Sequence, residues 1–261
     1  MSGELLVLCD LDGVIWLAHE GIPGSAEAVA RLRAAGATVA FVTNNSADTI
    51  DAQVAALAAV DVPAEGAVLT SAMAAAELLR PGERALVVGG AGIFEALAAR
   101  GVEALDAHEH SDPTGFDAVV AGIDRRFDYE TLRRAASAVR AGARLIGTND
   151  DATYPTAAGP IPGGGALLAA ISTASGSAPD VAGKPYRPMA SLVRARYGDA
   201  VDRAWMIGDR PDTDGRFAHT LGCRYALVLS GVTTDAAQAD PPGDLVAADL
   251  AAVATTLLGH G

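Results

Sequence analysis

The sequence predicts an α/β fold with a parallel sheet, and three observations carry that prediction. Short β-rich runs alternate with Ala/Leu/Arg-rich helical runs along the 261 residues, the pattern of strands joined by crossover helices. Glycines close several of the helical runs, at Gly36, Gly101, Gly142, Gly198 and Gly222, with a strand-like run soon after most of them. Half of the residues are hydrophobic and the mean hydropathy is +0.25, so the chain can bury a sizeable core rather than stay disordered.

Taken in order, Leu5–Cys9 reads as the first buried strand and Ser25–Ala35 as the first helix. Thr38–Val42 follows as a strand and Ser71–Leu79 as a helix. Ala85–Val88, Ala118–Ala121 and Arg144–Thr148 read as strands, with helices over Gly92–Ala99, Tyr129–Ala141 and Ala166–Ala174. A helix over Met189–Tyr197 precedes a strand over Ala204–Ile207, and a helix over Arg216–Leu221 precedes a strand over Ala226–Leu229. Arg80–Arg84 and the Ser/Gly/Pro-rich Ser172–Pro188 have the composition of hinges or loops.

Charge and cysteine usage narrow the function class. A formal net charge of −13 and a pI near 4.7 repel nucleic acid and anionic membranes, and neither is an expected partner. No apolar run approaches the roughly 20 residues that span a bilayer. Met1–Val7 lacks the basic and apolar regions of a signal peptide, so the expected location is cytoplasmic. Cys9 and Cys223 sit in or beside apolar runs and read as free thiols of a reducing compartment.

In an open parallel sheet, ligands bind beyond the carboxyl ends of the strands. Three of those ends are polar here: Asp10-Leu-Asp-Gly-Val14, Thr43-Asn-Asn-Ser46, and Gly208-Asp-Arg-Pro-Asp-Thr-Asp214. Lys184, in Gly183-Lys-Pro185, lies between the second and third. Any one of these segments could be a turn or a helix cap; together they describe a single acidic site with one lysine.

In this order and spacing, Asp-x-Asp-Gly-Val, Thr-Asn-Asn-Ser, Gly-Lys-Pro and Gly-Asp-x-x-x-Thr-Asp resemble the motifs of the haloacid dehalogenase superfamily. The branch most resembled holds the 4-nitrophenylphosphatases, phosphoglycolate phosphatases and pyridoxal phosphatases. The likeness extends to Ser230-Gly-Val-Thr233 and covers nearly the whole chain. It implies a Rossmann-like core over 1–80 and 183–261 with a smaller α/β cap inserted at 81–182. It also implies Mg²⁺-dependent hydrolysis of a small-molecule phosphomonoester through an aspartyl-phosphate. Within that implication Asp10 is the nucleophile and Asp12 the general acid and base. Asp10, the Asp12 carbonyl and Asp209 are the metal ligands, and Asp214 holds a metal-bound water or Lys184. Thr43, Asn44, Asn45 and Lys184 serve the phosphate, Asn44 and Asn45 by shaping the loop. Asp212 is not carried over. Asn149, Asp151 and Tyr154, in the cap segment Thr148–Pro155, are the expected specificity residues, and two copies are expected to pair through the cap. A nucleotidase or a sugar phosphatase of the same fold stands as the alternative.

Val88–Glu95 imitates a dinucleotide-binding turn but has Glu95 where the third glycine belongs, leaving a dinucleotide-binding protein as a reading from another class. Gly163–Gly165 lacks the Lys-Ser/Thr of a P-loop. His108, Glu109 and His110 are expected on a solvated loop, Trp205 in the core, and Trp16 at the substrate or the cap.

Overall fold

The computed structural model describes residues 5–154, 156 and 159–259. Met1–Glu4, at the start of the expected core, and Pro155, at the end of the expected cap segment, lie outside the described residues. The chain forms two compact units: Met1–Thr43, Asp51–Leu69 and Lys184–Gly261 make the first, and Asn44–Ile50 with Thr70–Gly183 the second.

The first unit is built on a six-stranded sheet. Its order is Leu245–Ala247, Arg224–Val228, Trp205–Gly208, Leu6–Cys9, Thr38–Thr43, Val68–Thr70. Leu6–Cys9 runs parallel to both neighbours, with Cys9 opposite Ile207 on one side and Phe41 on the other. All four of its residues are buried, as a strand covered on both faces requires. The chain leaves this strand for Thr38–Thr43 on one side and reaches Trp205–Gly208 on the other only much later. The strand order therefore reverses around Leu6–Cys9, and such a switch point opens a crevice at the strands' carboxyl ends. Helices Ser25–Ala34 and Leu250–Gly259 pack together, as do Arg187–Tyr197 and Arg216–Leu221.

The second unit has a five-stranded parallel sheet ordered Asp180–Val181, Arg144–Gly147, Ala118–Ala121, Arg84–Val88, Glu103–Asp106. Helices Tyr129–Arg140 and Gly164–Ser175 pack on one another, and Val119, Leu145, Leu168 and Ile171 join one apolar cluster. The Asp128 carboxylate caps the first of these helices by accepting from the Thr131 N–H at 2.8 Å.

Sequence reading misses the helices Ile50–Ala58 and Leu250–Gly259 and the short strands Val68–Thr70, Glu103–Asp106 and Leu245–Ala247. The helix expected from Ala166 starts two residues earlier. A Cβ on Gly165 would lie 2.2 Å from the Asp150 carbonyl oxygen, so glycine lets the 149–151 loop close over the helix start. Similar crowding replaces the dinucleotide reading of Gly89–Gly92. A Cβ on Gly90 would sit 2.4 Å from the Ala47 carbonyl oxygen, and one on Gly92 2.2 Å from that of Asp48. Backbone from residues 46–48 occupies the approach that a pyrophosphate would need.

His108 is a correction. Only 17% of its side chain is exposed, with Nε2 2.7 Å from Asp124 Oδ2 and Nδ1 3.2 Å from Thr131 Oγ1. Its partners lie 16 and 23 residues away in sequence, which is why the local composition suggested solvent. Trp205 is buried, with the Arg224 guanidinium 4.2 Å from its ring centroid. Both cysteines are free thiols. Among the described residues no helix is long and apolar enough to cross a membrane.

Candidate functional site

The ends of the central strands bring four carboxylates of the first unit to one lysine. Asp10 follows Leu6–Cys9 directly, and its N–H donates to the Ile207 carbonyl at 2.9 Å. Lys184 Nζ lies 2.8 Å from Asp10 Oδ1 and donates to Asp214 Oδ1 at 2.7 Å. The side chains of Lys184 and Asp214 are 1% and 0% exposed. Burial pulls the Lys184 ammonium down, but Asp10 and Asp214 override it and hold the group above its ordinary range. Asp214 is engaged at both oxygens, because the Arg210 N–H donates to Oδ2 at 3.2 Å. It sits in the turn Pro211–Gly215, and a Cβ on Gly208 would come 2.2 Å from its Cγ.

Asp209 is held differently. Its Oδ2 accepts the Val232 N–H, while its buried Oδ1 has no hydrogen-bond partner among the described residues. Two glycines make room for it: a Cβ on Gly231 would meet Asp209 Oδ2 at 2.0 Å, and one on Gly13 would meet Asp209 Cγ at 2.4 Å. Gly13 also has φ +81, which L side chains avoid. Ser230 Oγ donates to the Gly13 carbonyl at 2.7 Å, tying the two loops around Asp209. Burial, then the charge of Asp10, pushes Asp209 up to about 6.

Asp12 stands two residues beyond Asp10. Burial and then the Asp10 charge push it up to about 7, with Trp16 pulling the other way. The Trp16 indole N–H donates to Asp12 Oδ1 at 3.1 Å.

Ligand atoms of Asp10, Asp209 and Asp214 lie within 4.8 Å of one another. A buried ionised carboxylate without a donor is costly, and one lysine cannot balance Asp10, Asp12, Asp209 and Asp214. Asp209 Oδ1 fits a hard divalent cation, which takes oxygen ligands. Asp214, with both oxygens occupied, fits the holding of Lys184 instead. The site sets the Asp12 carboxyl, whose hold on its proton is raised, beside the Asp10 side chain and a buried lysine.

The remaining sequence-predicted residues fall into two groups. Thr43 is buried at the end of its strand, and Asp212 is exposed, paired with Arg210 at 3.3 Å. In the second unit Asn45 shapes its own loop, accepting from the Ala47 N–H and donating to Asp48. Asn44 Nδ2 donates to Asp151 Oδ2 at 2.9 Å, and the Asn44 carbonyl accepts from Asn149 Nδ2 at 2.9 Å. Asn149 is buried, and its Oδ1 accepts the Asp151 N–H. Tyr154 lies in the two-residue strand paired with Ile161–Pro162. Sequence reasoning had no role for Trp16 on Asp12, nor for the cradle that Ser230–Val232 forms around Asp209. The glycine of Ser230-Gly-Val was the available signal for the second.

Comparison with known proteins points the same way. A family model described as haloacid dehalogenase-like hydrolase matches residues 7–103, and one described as HAD-hydrolase-like matches 181–253. The D-glycerol 3-phosphate phosphatase of Mycobacterium tuberculosis is 37% identical over 90% of this chain, which covers 66% of that protein's length. Human chronophin is 35% identical over 87% of this chain and 81% of its own. A glycerol phosphate phosphatase from Mycobacterium tuberculosis, solved in complex with magnesium, superposes with a TM-score of 0.85 at 34% identity, over 95% of this chain and 75% of that one.

Proposed function

The chain belongs to the haloacid dehalogenase-like hydrolases, and from that membership we propose that it hydrolyses small-molecule phosphomonoesters through an aspartyl-phosphate on Asp10. The observation that carries the reading is the set Asp10–Lys184–Asp214 beside Asp209, whose buried Oδ1 lacks a hydrogen-bond partner among the described residues. The naming of two similar proteins of Mycobacterium tuberculosis as glycerol phosphate phosphatases supports it.

In the proposed reaction a carboxylate oxygen of Asp10 attacks phosphorus, and the bond from phosphorus to the ester oxygen breaks. Asp12 gives its proton to the departing alkoxide. It then takes a proton from the water that attacks the phosphoryl group on Asp10, and the Asp10 carboxylate is regenerated. Lys184 holds charge against the phosphoryl oxygens, and Asp214 keeps that ammonium in place and protonated. Thr43 and the Asn44–Asn45 loop belong to the phosphate side of the proposal. Asp10, the Asp12 carbonyl and Asp209 would hold Mg²⁺, which supplies the positive charge that lets a phosphate dianion approach carboxylates.

The proposal keeps residues 81–182 as a cap inserted in a core of 1–80 and 183–261. It assigns choice of leaving group to Asn149, Asp151 and Tyr154, and pairing of two copies to that cap. The test is phosphate release from a panel of small phosphomonoesters, after EDTA treatment and again with Mg²⁺ restored. Release that needs Mg²⁺ is expected. Full activity in metal-stripped protein would remove the metal from the proposal, and no release from any ester would end it.

A further inference from the structure

Trp16 is the largest fully buried side chain among the described residues, 1% exposed, and it spends its single polar group on Asp12. The geometry around it is closed. The Gly13 N–H donates to the Trp16 carbonyl at 2.8 Å, and the N–H groups of Ile15 and Trp16 both donate to the Leu11 carbonyl, at 2.8 and 3.2 Å. Asp12 and Trp16 also form an isolated backbone bridge. The segment carrying Asp12 is therefore folded back on the residue that contacts its carboxyl.

Beyond Trp16 the chain makes a hairpin, Trp16–Leu17 against Glu20–Gly21, with Leu17 opposite Glu20. Its two turn residues are Ala18 at φ +50 and His19 at φ +67. A two-residue turn with both φ values positive suits Asn or Gly, and an alanine and a histidine hold it under strain. The His19 ring lies against the indole, with centroids 4.9 Å apart and planes at 44°. The strained turn thus places a ring on the outer side of Trp16.

An indole N–H can only donate. Bound to Asp12 Oδ1, it takes a lone pair on that oxygen and leaves Oδ2 as the atom to carry a proton. We propose that Trp16 is a positioning residue, backed by the His19 hairpin, that fixes the rotamer of Asp12 and assigns the transferable proton to Oδ2. This rests on the phosphomonoesterase reading above. In the step concerned, the Oδ2–H bond breaks as the ester oxygen leaves phosphorus and takes that proton, so the departing group leaves as an alcohol and Asp12 is left ionised.

The test uses leaving groups that need the proton to different degrees. An alkoxide needs protonation as it leaves, whereas 4-nitrophenolate leaves readily without it. Wild type and Trp16→Phe are compared on 4-nitrophenyl phosphate and on the best alkyl phosphomonoester of the panel. The Phe variant is expected to lose at least ten-fold more kcat on the alkyl ester than on the aryl ester. In an Asp12→Ala background that excess loss should vanish, since the coupling runs through Asp12. Parallel losses on both esters, no loss on either, or an excess that persists without Asp12 would overturn the assignment. If Trp16→Phe does not fold, a benzothienylalanine at position 16 keeps the ring shape, lacks the N–H and carries the same comparison. Wild type inactive on every ester would instead overturn the phosphatase reading itself.

Discussion

At the scale of single residues, the site is a set of acids that the fold crowds together at a cost. Asp12 and Asp209 are pushed up to about 7 and about 6, each mainly by burial and next by the Asp10 charge. An unfolded aspartate titrates near 4. Between about pH 4 and pH 7 the folded, metal-free chain therefore binds more protons than the unfolded chain, and these residues cost stability increasingly as pH rises. The cost is absent below that window and fully present above it. Asp209→Asn removes one of the charges, so its Tm advantage over wild type in EDTA should grow from near zero around pH 4 to its full size near pH 7, while turnover is lost. Thermal unfolding of both proteins across that range is the check, and a pH-independent difference would contradict the crowding account. Asp10, Asp209 and Asp214 were legible in the sequence because each follows a strand by a fixed small number of residues. The Trp16 contact with Asp12 was not. It depends on a hairpin whose turn residues, Ala18 and His19, carry no local signal for positive φ.

Elements were legible where periodicity is local and obscure where a third segment sets the outcome. The runs Ala118–Ala121 and Arg216–Leu221 appear with the ends that the sequence implied. Gly89–Gly92 and Gly163–Gly165 invited ligand-binding readings because glycine next to a helix start has several causes. Here the cause is backbone packed on top, from 46–48 in one case and 149–151 in the other. Gly92→Ala makes two effects compete. Alanine in a helix is favoured over glycine by about 1 kcal/mol, but its Cβ would lie 2.2 Å from the Asp48 carbonyl oxygen and 2.8 Å from that of Ser46. Backbone cannot swing aside as a long side chain does, and overpacking of this kind costs roughly 1–3 kcal/mol. The contact should win. A lower denaturant midpoint for Gly92→Ala is expected, and a raised midpoint would mean that residues 46–48 yield freely.

On the scale of the whole molecule, the parallel sheet and its switch point put the motifs 10–14, 43 and 208–214 at one edge. Lys184 reaches them from a segment more than 170 residues after Asp10. The order of those motifs, rather than any single one, made the family readable before any coordinates. What the sequence could not supply was which carboxylate oxygens are engaged, since that depends on Val232 reaching from another loop and on local turns that bring Arg210 and Trp16 back onto Asp214 and Asp12. All of these contacts frame one claim, that phosphorus is transferred first to Asp10. The direct measurement is acid quenching during turnover of a phosphomonoester, followed by peptide mass mapping. The account predicts a phosphoryl group on the peptide containing Asp10, at Asp10 itself, that disappears when substrate is exhausted. It also predicts that Asp10→Asn shows neither the modification nor turnover, with kcat down by about 10³-fold or more. Sustained turnover with no covalent phosphate on that peptide, or with Asp10→Asn still active, would contradict it.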